Sequence, residues 1–113
     1  MKLPGGEDVL IDPRKLVDYA LSPTHHTGRH KARVFASVLG LTARDAAVLA
    51  DALRLAAARE EAELIGETAH GAGYRIRSLF RFKDRSAIIG SGWRVPADGS
   101  QTRLVTVYVA RSR

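Results

Sequence analysis

Tyr74-Arg-Ile-Arg-Ser-Leu-Phe-Arg-Phe-Lys83 is the stretch that decides how this chain folds. Tyr74, Ile76, Phe80 and Phe82 alternate with Arg75, Arg77, Arg81 and Lys83. A period of two is the signature of a strand, here with one apolar and one basic face. Before this stretch the apolar residues recur at helical spacing; after it they do not. Lys83 to Ser86 reads as a turn, and Ala87 to Val95 as a second strand in which Gly90 and Gly92 mark a bulge or a close backbone approach. Pro96 to Ser100 makes another turn. Thr102 to Ala110 is a third strand rich in β-branched residues, and Arg111 to Arg113 a basic tail.

Working back towards the start, Gly66 to Gly73 holds three glycines and His70 and reads as a break. The alanine-rich segment from Thr42 to Glu61 places Ala46, Leu49, Ala50, Leu53 and Ala57 on one helical face, with Thr42 as cap and Asp45 in the first turn. A helix from Arg29 to Leu39 ends at Gly40, its apolar positions being Val34, Phe35, Val38 and Leu39. Another runs from Arg14 to Leu21, started by Asp12-Pro13 and stopped at Ser22-Pro23. Val9 to Ile11 is a candidate short edge strand. The expected fold is α+β: two to three N-terminal helices on a three- to four-stranded antiparallel sheet, with residues 1–113 as one domain.

The net charge of +6 and a pI near 10.3 favour polyanionic partners, although surface solubility is served by the same charge. There is no cysteine, which excludes disulfides and thiolate metal sites. No apolar run reaches the roughly 20 residues of a membrane span, and Met1 to Leu10 lacks a signal-peptide core, so a cytoplasmic protein without membrane contact is expected.

Three of the four histidines fall in Leu21-Ser-Pro-Thr-His-His-Thr-Gly-Arg-His-Lys-Ala-Arg-Val-Phe35. His30 and Lys31 stand one turn before Val34 and Phe35, so packing of those two on the sheet aims His30 and Lys31 at its rim. Histidine takes a proton near neutral pH, and lysine holds charge on a phosphate. The plainer alternative is that His30 lines the interface and Lys31 extends to water. Arg29 and Arg33 belong to a more exposed flank. His25 and His26 lack a third ligand at usable spacing, so no metal and no cofactor is implied. Arg75, Arg77 and Arg81 form a row suited to a phosphate backbone or simply to solvent. Ser91 and Trp93, and Thr106 and Tyr108, lie at alternate positions on neighbouring strands. If both pairs share a face, they supply hydroxyls and a stacking ring for a nucleotide; otherwise Trp93 and Tyr108 are core aromatics.

Ile11-Asp-Pro-Arg-Lys-Leu16, Leu21-Ser-Pro-Thr-His25, Gly28-Arg-His-Lys-Ala-Arg-Val-Phe35, Ser91-Gly-Trp93 and Arg103-Leu-Val-Thr-Val-Tyr108, in that order, resemble the DUF6883 family of small bacterial domains. More distantly, the layout is similar to toxin nucleases of the barnase, EndoU, colicin and RelE type. That likeness implies helices ahead of a four-stranded antiparallel sheet. It also implies metal-independent RNA cleavage by a basic or histidine residue on a helix, together with hydroxyl and basic residues on strands. Carried across, Lys31 or His30 takes the helical position, and Thr106 and Tyr108 take the late-strand Thr-x-Tyr positions. Val109 stands where many such toxins have proline, and the sheet offers no evident acidic base.

The resulting expectation is a small metal-independent endoribonuclease-like toxin domain of a toxin–antitoxin or conflict system. His30 or His25 would be the base on a 2′-hydroxyl, Lys31 and Arg103 would hold phosphate charge, and Thr106 and Tyr108 would orient it. The alternative is a non-catalytic basic module that binds nucleic acid or an acidic protein. RNA and a small acidic antitoxin or immunity protein are the expected partners.

Overall fold

The computed structural model describes residues 1–112. Helices α1 (Pro13–Lys15), α2 (Arg29–Leu39) and α3 (Ala46–Arg59) precede strands β1 (Glu63–Thr68), β2 (Gly71–Phe82), β3 (Arg85–Pro96) and β4 (Arg103–Ser112). The strands form one antiparallel meander in the order β1-β2-β3-β4. This is the expected α+β fold, with helices N-terminal to the sheet.

Local chemistry accounts for the helix boundaries. The Asp12 carboxylate accepts the Arg14 backbone N–H at 3.0 Å, and Pro13 occupies the first turn. The helix then widens into a π turn over Leu16–Ala20, closed by Leu21 N–H donating to Leu16 C=O at 2.8 Å. Gly40 ends α2 in the left-handed region, where glycine carries no steric cost. Ahead of α3, Thr42 and Asp45 form the expected capping box. Asp45 accepts the Thr42 backbone N–H at 2.9 Å, and a short 3₁₀ turn over Ala43–Asp45 leads into the helix.

Alternation along β2 and β3 gives the sheet two unlike faces. Tyr74, Ile76, Phe80 and Phe82 on β2 point inward with Ala87, Ile89, Ser91 and Trp93 on β3 and Leu104 and Val107 on β4. Phe35 and Leu39 of α2 and Leu49 and Leu53 of α3 complete this core. Each such large apolar side chain contributes roughly 1.5–3 kcal/mol on burial. The outer face meets helical residues at its β4 margin, where Lys31 of α2 reaches Thr106, and the β2 arginines emerge across it.

Some boundaries differ from expectation. The glycine-rich Gly66–Gly73 segment is no break: β1 and β2 run through it, with Gly66 paired to Gly73. Every β1 residue is exposed, so the strand lacks the apolar face by which a strand is recognised. Val9–Ile11 forms only a single parallel bridge, Leu10 to Arg103, at the margin of β4. The segment expected to be a basic tail belongs to β4 as far as Ser112, and Arg113 lies outside the described residues. No helix is long and apolar enough to cross a membrane among the described residues.

Candidate nucleic-acid interface

Strand register builds the outer face in rows. Across one row stand Glu63, Arg75, Gly92 and Thr106; across the next, Arg77, Gly90 and Tyr108. On the other side of the first row, Gly66, Gly73 and Arg94 lie abreast. Glycine is needed at two of these places. A Cβ on Gly90 would stand 2.4 Å from Tyr108 Cζ, and one on Gly92 would stand 2.9 Å from Thr106 Cγ2. The Tyr108 ring therefore lies down on the β3 backbone instead of standing off it. Between Gly92 and Trp93 the register shifts, so Val105 and Thr106 together face Gly92 and Leu104 turns inward against Trp93. This bulge puts Thr106 on the outer side.

Lys31 joins this face from α2. Its Nζ donates to Thr106 Oγ1 at 2.6 Å and sits 5.1 Å from the centroid of the Tyr19 ring. Lys31 is half-buried, so its charge is held in place at the margin of the sheet by a hydroxyl and an aromatic face. Arg75 donates to Glu63 at 2.7 Å, which raises the guanidinium's affinity for its proton and holds the Glu63 carboxyl below the usual carboxylate range. Tyr108 also supports the charge of Arg75, more weakly. Arg77 and Arg81 are exposed, and neither takes part in an ion pair among the described residues.

Lys31, Thr106, Tyr108 and Arg75 thus come together, with Arg77 in the row of Tyr108; the histidines, Trp93 and the α2 arginines lie elsewhere. His30 was expected to share the inward aim of Lys31 through Val34, but the buried positions of α2 are Ala32, Phe35 and Leu39, while Val34 is 41% exposed. His30 lies with Val34 on the outer side of the helix, about 100° round from Lys31.

His25 has a different occupation. Its Nδ1 accepts the backbone N–H groups of Gly28 at 2.9 Å and Thr27 at 3.1 Å, and its ring meets Tyr19 edge-on at 4.8 Å. It fixes the loop that starts α2. Arg29 and Arg33 line a separate groove on the other flank of α2, together with Arg44, Ala36 and Leu41.

Trp93 is 1% exposed and donates through Nε1 to the buried Ser91 hydroxyl at 2.9 Å. Ser91 and Trp93 therefore face the core, opposite to Thr106 and Tyr108, and Trp93 offers no stacking surface to a ligand. Arg103 is exposed beside Arg94 at the start of β4. Sequence reasoning missed Arg94, Ile65 and Tyr19. The parity of Arg94 with Gly90 and Gly92 was the available signal for the first; β1 itself had to be seen before Ile65 meant anything.

No three metal-ligating side chains cluster among the described residues. The family described as Domain of unknown function (DUF6883) matches residues 2–111. The chain belongs to the DUF6883 family. No curated protein and no solved structure matches it. Membership in DUF6883 accounts for nearly the whole length, whereas the likeness to toxin nucleases is supported by no match.

Proposed function

We propose that the chain is a ribonuclease-like domain that engages single-stranded RNA on the outer face of its sheet, with Lys31, Thr106, Tyr108 and Arg75 at the scissile phosphate. The observation that carries this reading is the Lys31–Thr106 contact of 2.6 Å, which fixes a cation beside a tyrosine and an arginine on an otherwise basic face. Fixed cations are worth more to a phosphorane than mobile ones because they cost no reorganisation when charge develops. In the proposed reaction the 2′-oxygen attacks phosphorus and loses its proton to solvent. The bond from phosphorus to the 5′-oxygen breaks as that oxygen takes a proton from the Tyr108 hydroxyl, which solvent restores, leaving a 2′,3′-cyclic phosphate and a 5′-hydroxyl. Lys31 and Arg75 hold the equatorial charge. A toxin role within a conflict system, in which a small acidic protein covers this basic face, follows the same electrostatics.

A second reading, RNA binding without cleavage, is favoured by the engagement of the candidate bases. His25 Nδ1 is occupied by backbone donors, His30 points away, and Glu63 is paired with Arg75.

One experiment separates the readings. A labelled single-stranded RNA is incubated with the purified chain in excess EDTA, and products and binding are both followed. Cyclic-phosphate ends that fall at least tenfold with Lys31→Ala support cleavage. Intact RNA that is bound, with affinity lowered by Lys31→Ala, supports the binding reading. RNA neither bound nor cut ends both.

A further inference from the structure

On the outer face a groove extends from the residues placed at the phosphate towards Ile65, Gly73 and Arg94. This groove, of about 350 Å³, is lined by Ile65 of β1, Gly73 and Arg75 of β2, Gly92 and Arg94 of β3, and Thr106 and Tyr108 of β4. Gly73 lies in its floor, and a Cβ built there would meet nothing within 4 Å. Gly66, opposite on β1, is equally open, so two paired residues leave bare backbone where a sheet normally carries a side chain. The gap is therefore flat, and it is bounded by a phenol ring, two guanidinium groups and an aliphatic side chain.

We infer that this gap is a base-binding subsite that takes one unstacked nucleobase of a single-stranded RNA. The inference rests on the proposed RNA engagement and adds which part of the nucleotide goes where. A planar heterocycle is the ligand class that matches the lining. Its faces are flat and weakly polar, matching the exposed Ile65 side chain and the bare, flat backbone at Gly73 and Gly66. Its rim is polar and meets the Arg94 guanidinium. Arginine planes and tyrosine rings stack on any base, so the subsite is sequence-tolerant. Thr106 lines the groove and also binds Lys31, which places the nucleotide's phosphate side at Lys31 and its base over Gly73. An aliphatic or purely anionic ligand would leave either the guanidinium rim or the flat floor beside Ile65 unmatched.

The test uses two probes of equal length, an RNA oligomer and its ribose-phosphate counterpart with abasic residues, bound to the full chain under non-cleaving conditions. The wild-type chain binds the base-bearing probe about tenfold more tightly, the low end of what one stacked base supplies. Gly73→Val places a β-branched side chain in the open space of an extended strand, where strand propensity favours it. It brings the ratio of the two affinities to about one. Ile65→Ala, at a position 56% exposed, removes one wall and lowers the ratio without threatening the fold. A wild-type ratio near one, or a ratio left at ten by both variants, overturns the subsite. Failure of the RNA reading looks different: neither probe then binds, or both bind equally to Lys31→Ala.

Discussion

Four consecutive residues of β3 divide their labour by parity. Ser91 and Trp93 point inward, where the indole N–H is satisfied by the serine hydroxyl and both are sealed from water. Gly90 and Gly92 point outward, where their missing side chains let Tyr108 and Thr106 lie against the backbone. The inner pair is a matter of packing, and its loss is measured as stability. The outer pair makes room for other residues, and its loss is measured as binding. Neighbours one residue apart thus answer to different physics, and substitutions that respect parity separate the two.

The largest effect is expected inside. Trp93→Ala should lower unfolding free energy by about 3–5 kcal/mol, the range for removing a buried aromatic, and chemical denaturation reads it directly. Ser91→Ala leaves the buried indole N–H without its partner and should cost about 1–3 kcal/mol in the same assay. On the outer side, Lys31→Ala removes one side-chain hydrogen bond and should cost stability only about 0.5–1.5 kcal/mol. Its effect appears also in RNA affinity, which should fall about tenfold, equivalent to about 1.4 kcal/mol. The slope of log affinity against log salt should lessen by about 0.7, the mark of one lost phosphate contact on a single strand. Binding titrations at several salt concentrations check both.

Gly90→Ala makes a subtler cut. It pushes the Tyr108 ring off its seat and should weaken RNA binding by about threefold, less than the loss of a whole stacked ring. Solvent quenching of tyrosine fluorescence should rise in parallel.

The smallest effect belongs to Glu63. Its carboxyl is held low by Arg75, so its contribution to stability is present above the unfolded carboxyl pKa and is lost as pH falls through the lower folded value. Protonation releases Arg75 towards phosphate. Glu63→Gln should therefore raise RNA affinity about twofold at neutral pH and flatten the acid-side change that the wild-type chain shows. A binding series across acidic pH decides it.

The Tyr74–Lys83 alternation was enough to read the sheet, since hydrophobic parity is fixed by the pleat. The meeting of Lys31 with Thr106 was legible too, because Lys31 stands one turn before Phe35, which packs inward. Three things were not. The first strand carries no buried face, so its sequence holds no period to find. The phase of α2 was misjudged because Val34 outweighs Ala32 on any hydrophobicity scale, while alanine is the residue that packs; this alone turned His30 from solvent towards the sheet. The sidedness of Ser91 and Trp93 relative to Thr106 and Tyr108 depended on register and on the bulge at Val105, and neither strand states these by itself. His25 illustrates a further limit: an imidazole that caps a loop and one that moves protons are the same letter.

The most direct test of the central claim is a titration of isotope-labelled protein with a single-stranded RNA, followed by amide chemical shifts. The account predicts shifts along Gly73, Arg75, Gly92, Thr106 and Tyr108 and at Lys31, with α3 unmoved. Shifts confined to α3, or to the Arg29–Arg33 flank of α2, or no shift at saturating RNA, would contradict it.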